Sequence, residues 1–300
     1  MKKTLTIVLS LAMALLLGVV FINCGGSDDN NDTCPAKCGE GKECCEACPC
    51  AQGTCNAEGV CETAGDCCPD APAGQIQIDI DGMIKDASTG QGAQVHVAAI
   101  SPMDALTSDS PELLSETDSD ANGVFHLGCY DVSNVALGAV VLTDDSPMDG
   151  TGGTFFPTGT GVKGWTTNDE KVCVDNAVGF AVPNTIIGAL DQLPDVSAAD
   201  DGLVMGLVVD ASGNPVEGAV IKKQDGDNWV DLGSIYYPSA DFSDMSGTAT
   251  AVTGMFVIPG AQVAGLTVIH AEKTGMTFDT AQVAGKAGFC FFALVPELSE

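Results

Sequence analysis

The sequence predicts an all-β protein of two tandem β-sandwiches preceded by a small disulfide-rich segment. The main observation is an internal duplication, because Gly82–Gly90 (GMIKDASTG) returns as Gly206–Gly213 (GLVVDASG). A second pair of matching stretches follows in the same order, NGVFHL at Asn122–Leu127 and TGMFVI at Thr253–Ile258. A period this long indicates tandem domains rather than a solenoid of short repeats.

Within each copy, apolar and polar residues alternate as they do in strands that bury one face. Ile76, Ile78 and Ile80 alternate with Gln and Asp residues, and Gly, Asp and Asn fill the gaps between such runs. Helical periodicity is nearly absent. One short helix is expected after Asn184 and before Pro194, from four apolar residues at helical spacing: Ile186, Ile187, Leu190 and Leu193.

Two hairpins are expected from the second matching signal. Gly123 and Gly254 suit the positive φ of a tight hairpin turn, which side chains with a Cβ rarely adopt. Phe125 and Phe256 follow two residues later and are expected to point into the core. Strands of this kind, in sets of about seven, usually pair into a sandwich.

The same residues resemble the carboxypeptidase regulatory-like domain, a transthyretin-like (prealbumin-like) sandwich. The second copy matches that pattern at Gly206, Val208, Asp210, Asn214, Pro215, Gly218, Ala219, Val220, Gly254 and Phe256. The first copy matches it at Gly82, Asp86, Gly90, Ala93, Val95, Asp118, Gly123 and Phe125, with Gln91 in place of the usual turn proline. The resemblance covers most of residues 75–296 and implies a domain without catalytic residues of its own.

The charge balance excludes one class of partner. The chain has 41 Asp and Glu residues against 11 Lys and no Arg, so its formal net charge is −30. A field of this sign repels phosphate backbones, and the guanidinium contacts that read phosphate and guanine are missing. Nucleic acid is therefore excluded, and docking on anionic lipid would need a covalent or inserted anchor.

The N-terminus has the order of an export signal. Lys2 and Lys3 precede an apolar run at Leu5–Ile22, and Cys24 follows. This resembles a bacterial lipoprotein signal, which implies that Cys24 becomes the lipidated, palmitate-bearing first residue. Gly25 is not the Asp that retains such lipoproteins at the inner membrane, so the resemblance implies the outer membrane. The alternative is an uncleaved anchor, since the run is about long enough to span a bilayer.

Ten of the 14 cysteines fall in one short segment with few apolar residues. They are Cys34, Cys38, Cys44, Cys45, Cys48, Cys50, Cys55, Cys61, Cys67 and Cys68. Because so small a segment cannot build a core, five bridges among these ten are expected. The alternative is a thiolate metal cluster at Cys44–Cys50, where four cysteines lie close together as in metallothioneins. Further along, Cys129 is expected to pair with Cys173, and Cys290 is expected to be a buried thiol.

One turn has the first half of a calcium loop. Asp118, Asp120 and Asn122 precede Gly123 in the pattern DxDxNG, but Cys129 stands where a bidentate Glu is needed. The alternative is that these side chains cap their own backbone. No GxSxG, HExxH or phosphate-binding glycine loop occurs, so neither an enzyme nor a cofactor is predicted.

Aromatic residues cluster in the least repetitive stretches of the two copies. Trp165 lies in a Gly- and Thr-rich insertion of the first copy, and Trp229, Tyr236 and Tyr237 lie in the second. Exposed rings beside carboxylates would suit carbohydrate binding. The alternative is that these rings pack in the core.

These observations predict a non-enzymatic, lipid-anchored cell-surface protein that acts as a binding or structural module through its sandwich loops. Two alternatives are open: the protein is a carbohydrate-binding adhesin, or its cysteine-rich segment binds metal. Expected partners are the membrane, through the lipid, and a cell-envelope protein or polysaccharide. The predicted organisation is a signal peptide (1–24), a flexible tether (25–33), a disulfide segment (34–68), sandwich 1 (75–198) and sandwich 2 (202–300). Residues 75–198 and 202–300 are called the first and second copy below.

Overall fold

The computed structural model of the chain shows a mostly β protein, which confirms the predicted fold class. It describes residues 54–55, 61–62, 67–68, 72, 74–108, 110–135, 138–145, 153–162, 171–240 and 242–298. Strands up to the end of the first copy are β1 (Thr54–Cys55), β2 (Cys61–Glu62), β3 (Gln77–Asp86), β4 (His96–Ile100), β5 (Leu113–Asp118), β6 (Val124–Asp131), β7 (Ala139–Asp144), β8 (Phe155–Phe156), β9 (Thr158–Val162) and β10 (Lys171–Pro183). Strands of the second copy are β11 (Leu203–Val209), β12 (Val220–Asp225), β13 (Asn228–Asp231), β14 (Met255–Pro259), β15 (Thr267–Glu272), β16 (Thr280–Val283) and β17 (Cys290–Pro296).

Three larger sheets stack as layers. A seven-stranded sheet in the order β14-β11-β17-β9-β7-β4-β5 lies between two four-stranded sheets, β6-β3-β10-β8 and β13-β12-β15-β16. The β9-β7-β4-β5 half packs on the first of these around a core that includes Ile80, Phe125 and Val141. The β14-β11-β17 half packs on the second around Phe256 and Ile269. Two sandwiches result, and they share the middle sheet.

The two copies use their strands in the same way. The first strand of each copy, β3 or β11, pairs antiparallel with the hairpin strand β6 or β14 and parallel with the last strand β10 or β17. Gly123 and Gly254 have φ of 83° and 68°, as the hairpin prediction requires. Phe125 and Phe256 are buried. The duplication read from the sequence is therefore repeated in the strand pairing.

A parallel strand pair joins the two copies, which the tandem interpretation did not include. Strand β17 of the second copy pairs with β9 of the first, with Cys290 opposite Thr158 and Phe292 opposite Thr160. Behind this joint the rings of Phe180 and Phe292 stack with centroids 3.9 Å apart. The junction thus has both backbone pairing and a core of its own.

Two short α-helices occur among the described residues. Helix α2 (Asn184–Leu190) confirms the predicted helix and buries Ile186, Ile187 and Leu190 against that junction core. Helix α1 (Pro102–Thr107) was not predicted, because it buries only Ala105 and has little periodicity. Within the described ranges, no helix has the length and apolar character needed to span a membrane.

Candidate functional site

Two disulfides from adjacent cysteines tie the cysteine-rich segment to the first copy. Cys67 is bonded to Cys173 on β10, and Cys68 to Cys129 on β6, with Cα–Cα distances of 5.9 and 5.6 Å. Strands β6 and β10 flank β3, and Cys173 is opposite Asp79 of β3 in the register. The two bridges therefore cross the sheet above β3. We call this pair of disulfides the double staple.

The double staple corrects two predictions about cysteine pairing. The expected Cys129–Cys173 bridge is wrong, because β3 lies between the two strands and separates them by two strand spacings, about 9–10 Å. A disulfide needs Cα atoms within about 7 Å. The expectation of five bridges within the segment is also wrong, since Cys67 and Cys68 pair outside it.

The other cysteine predictions remain predictions. The lipidation residue Cys24 lies outside the described residues, as do Cys34, Cys38, Cys44, Cys45, Cys48 and Cys50. Cys55 and Cys61 lie opposite each other on the hairpin β1-β2. Cys290, expected as a buried thiol, is free and buried, and burial raises its pKa to about 12. It is therefore unsuited to nucleophilic chemistry at neutral pH.

A half-buried carboxylate lies under the double staple. Asp79 Oδ2 is 3.7 Å from Cys129 Sγ, and burial raises the pKa of Asp79 although the nearby His126 opposes the shift. His126 Nδ1 lies 2.9 Å from Asp81 Oδ1 and 3.7 Å from Asp79 Oδ1. These three side chains bring ligand atoms within 4.8 Å of one another and could hold a cation. Sequence reasoning missed the group because β3 and β6 are distant in the chain.

The predicted calcium turn is occupied by its own hydrogen bonds. The backbone N–H groups of Asn122 and Val124 donate to Asp120 Oδ1 over 2.8 and 2.9 Å. The Val124 bond is the main reason that the pKa of Asp120 is lowered, and the Asn122 bond adds to it. Asp118 Oδ1 lies 3.1 Å from His96 Nδ1. The geometry matches the backbone-capping alternative, and calcium binding stays a prediction.

The aromatic candidates occupy different environments. Trp165 lies outside the described residues. The prediction that Tyr237 is an exposed binding residue is wrong, because this side chain is buried in the second-copy core. Its hydroxyl oxygen accepts a 2.9 Å hydrogen bond from the backbone N–H of Ile221. Tyr236 is half-buried and its hydroxyl donates to the carbonyl oxygen of Pro194 over 2.5 Å. Both tyrosines thus hold the fold together.

Trp229 is the exception, with 37% of its surface exposed. It lies on β13 rather than in a loop, and its indole stacks on the imidazole of His270 from β15, with centroids 3.8 Å apart and planes 17° apart. Lys222 on the intervening strand β12 lies 2.5 Å from Asp231 Oδ1 and 4.0 Å from Glu272 Oε2. We call these five side chains the Trp229 face.

The register explains why these side chains meet. Lys222 is opposite both Asp231 of β13 and His270 of β15, so the three lie side by side on neighbouring strands. Ile221, the next residue along β12, is buried in the core, so Lys222 faces away from it. The hydrogen bond with Asp231 is the main cause of the raised pKa of Lys222. Charged groups of both signs are therefore held beside an exposed ring.

No protein-family model matches the chain, and no curated protein matches it in sequence. Solved structures that it resembles include the Bacillus anthracis TIE protein (10% identity, 74% of this chain, 34% of that chain, TM-score 0.22). A second is a streptococcal ancillary pilin (12% identity, 75% of this chain, 63% of that chain, TM-score 0.21). A third is the shaft pilin SpaA of Lactobacillus rhamnosus GG (12% identity, 75% of this chain, 99% of that chain, TM-score 0.22). The chain thus spans about a third of the TIE protein and under two thirds of the ancillary pilin.

Proposed function

We propose that this chain is an exported, non-enzymatic cell-surface protein, attached to the outer membrane by a lipid on Cys24, whose stiff β stem presents binding surfaces. The observation that carries the proposal is the double staple. Two disulfides close loops across 106 and 61 positions of sequence, and disulfides persist chiefly in oxidising compartments. This agrees with the export signal predicted at residues 1–24.

The stiffness of the stem is argued from covalent and packed connections. The double staple fixes the adjacent residues Cys67 and Cys68 to two strands of the first copy. The β9–β17 pair then continues one sheet from the first copy into the second, and the Phe180–Phe292 stack fills the space behind it. Relative motion of the copies would break both contacts at once.

The described histidines and the free thiol each have a contact or an enclosure within the fold. His96 and His126 each lie within 3.2 Å of a carboxylate oxygen, and His270 stacks on Trp229. The Cys290 thiol is enclosed by the core. The net charge of −30 suits an extracellular domain that must stay dissolved.

Metabolic labelling tests the attachment. The full chain should incorporate radiolabelled palmitate when expressed in a bacterium with a lipoprotein-processing pathway, and Cys24→Ala should abolish the label while leaving the polypeptide detectable. Protease added to intact cells should then digest the wild-type chain. Equal labelling of Cys24→Ala, or a wild-type chain recovered in the cytoplasm, would overturn the proposal.

A further inference from the structure

We propose that the Trp229 face is a binding site for neutral glycans, with the indole of Trp229 as a stacking platform. The inference rests on the proposed surface location, because such a site needs access to envelope polysaccharide. Three features of the Trp229 face support it: the exposure of one ring, the fixed polar groups around that ring and the groove beside them.

Among the Phe, Tyr and Trp residues in the described part of the chain, Trp229 is the exposed one, and the others are buried or half-buried. One side of its indole rests on the His270 imidazole, whose side chain is only 17% exposed. The ring is therefore supported from behind while over a third of the residue stays in contact with water. The uncovered part of the indole offers an apolar surface on which the C–H face of a pyranose can stack.

The polar neighbours suit hydroxyl groups. The Lys222 ammonium donates hydrogen bonds, and the carboxylates of Asp231 and Glu272 accept them. A sugar hydroxyl both donates and accepts, so it can bind at either kind of group. Because strand register fixes these residues, few side chains need to be ordered when a ligand binds.

A shallow groove extends the site beyond the ring. It has a volume of about 530 Å³ and includes His270, Lys222 and Glu272 of the Trp229 face. Gly218, Val220 at the start of β12, and residues that follow β15, among them Lys273, line the remainder. The volume lies within the common range for small-molecule sites, about 300–1,000 Å³. We expect a short run of sugars, with one ring on Trp229.

Charge selects a neutral ligand. The groove itself has Lys222 and Lys273 beside one carboxylate, Glu272, but the net charge of −30 over the whole chain repels uronic acid and sulfated polymers, as it repels nucleic acid. A basic peptide would be attracted at long range, but Lys222 already neutralises Asp231 and approaches Glu272, the two carboxylates of this face. An uncharged ligand avoids both the repulsion and the cost of displacing Lys222.

Tryptophan fluorescence of the full chain tests the inference, because the sequence has only two Trp residues. Trp165→Phe leaves Trp229 as the single indole reporter. This variant should be titrated with maltohexaose, cellohexaose and xylohexaose, with hexagalacturonate as the anionic probe and hexalysine as the basic one. We expect at least one neutral hexasaccharide to change the emission of Trp229, and neither charged probe to do so.

Calorimetry with the responding sugar then assigns the site. Trp229→Ala should weaken binding by about tenfold or more, and Lys222→Met should weaken it less. Val252→Ala, which trims a side chain that is 57% exposed outside the groove, is the matched control and should bind normally. Equal melting temperatures would show that the variants fold. No response to any of the three neutral sugars, a response to hexalysine or hexagalacturonate, or unchanged binding by Trp229→Ala would each overturn the inference, whatever the palmitate labelling shows.

Discussion

The ring of Phe256 occupies the space that a side chain on Gly206 would need. The two residues are partners across the β11–β14 pair, and a Cβ added to Gly206 would also lie 2.6 Å from the carbonyl oxygen of Ala293. The first copy repeats the relationship, since a Cβ on Gly82 would lie 2.7 Å from the ring of Phe125. The glycine that opens each copy is thus paired with the phenylalanine of its hairpin.

This relationship predicts that Gly206→Ala will destabilise the protein by about 1–3 kcal/mol, because the buried ring and the neighbouring backbone leave no room for a methyl group. Urea denaturation measures the loss. Gly161→Ala is the matched control, since a Cβ on this strand glycine would have no atom within 4 Å. If both variants unfold at the wild-type midpoint, the packing of Phe256 on Gly206 is wrong.

The double staple predicts which peptides remain linked without reductant. Peptide mapping without reductant at acidic pH, where thiol exchange is slow, should find the peptide that contains both Cys67 and Cys68 linked to the peptide with Cys129 and to the peptide with Cys173. Cys129→Ser and Cys173→Ser should each lower the free energy of unfolding by about 2–4 kcal/mol, because each bridge closes a long loop. A direct Cys129–Cys173 link would contradict the structure.

Cys290 should resist alkylation in the folded protein. Burial raises the pKa of its thiol to about 12, so almost no thiolate exists at pH 8 and the reagent has no access to it. We expect iodoacetamide to leave the Cys290 peptide unmodified under native conditions and to modify it fully in guanidinium chloride. Mass spectrometry reads both states, and rapid native labelling would place the thiol at the surface instead.

The Asp120 turn predicts a pH-dependent contribution to stability. Because backbone hydrogen bonds from Val124 and Asn122 lower the folded pKa of Asp120, its contribution is complete above the unfolded value, about 3.9, and is lost as the pH falls through the folded value. Asp120→Ala should therefore have a lower melting temperature than the wild type at pH 7, and the difference between the two melting temperatures should become smaller below about pH 4. Asp120→Asn keeps the acceptor oxygen without the charge. Its melting temperature at pH 7 should lie between those of Asp120→Ala and the wild type, and it should approach the wild-type value below about pH 4, where Asp120 is also uncharged. A gap for Asp120→Ala that is constant from pH 7 to pH 3 would argue against the capped turn.

Features encoded within one copy were predictable from sequence. The positive φ of Gly123, the inward Phe125 and helix α2 each follow from residues close together in the chain. These features depend on neighbouring residues, and the hairpin pattern occurs twice in the sequence because of the duplication.

Features that join distant segments were not predictable in the same way. The β9–β17 joint pairs residues such as Thr158 and Cys290, and neither strand has a pattern that identifies its neighbour. The cysteine partners depend on the order β6-β3-β10, which composition does not encode. Tyr237 and Trp229 are similar as residues, and only strand register and packing make one a core residue and the other an exposed ring.

The double staple also determines how a mechanical force would be transmitted through the protein. Tension arriving from the N-terminal side would pass at Cys67 and Cys68 into β10 and β6 through covalent bonds, before it reached Gln77 at the start of β3. Three neighbouring strands would then share the strain, so β3 could not be peeled away alone. A protein exposed to flow or to collisions between cells would keep its first sandwich closed under conditions that unzip a singly attached strand.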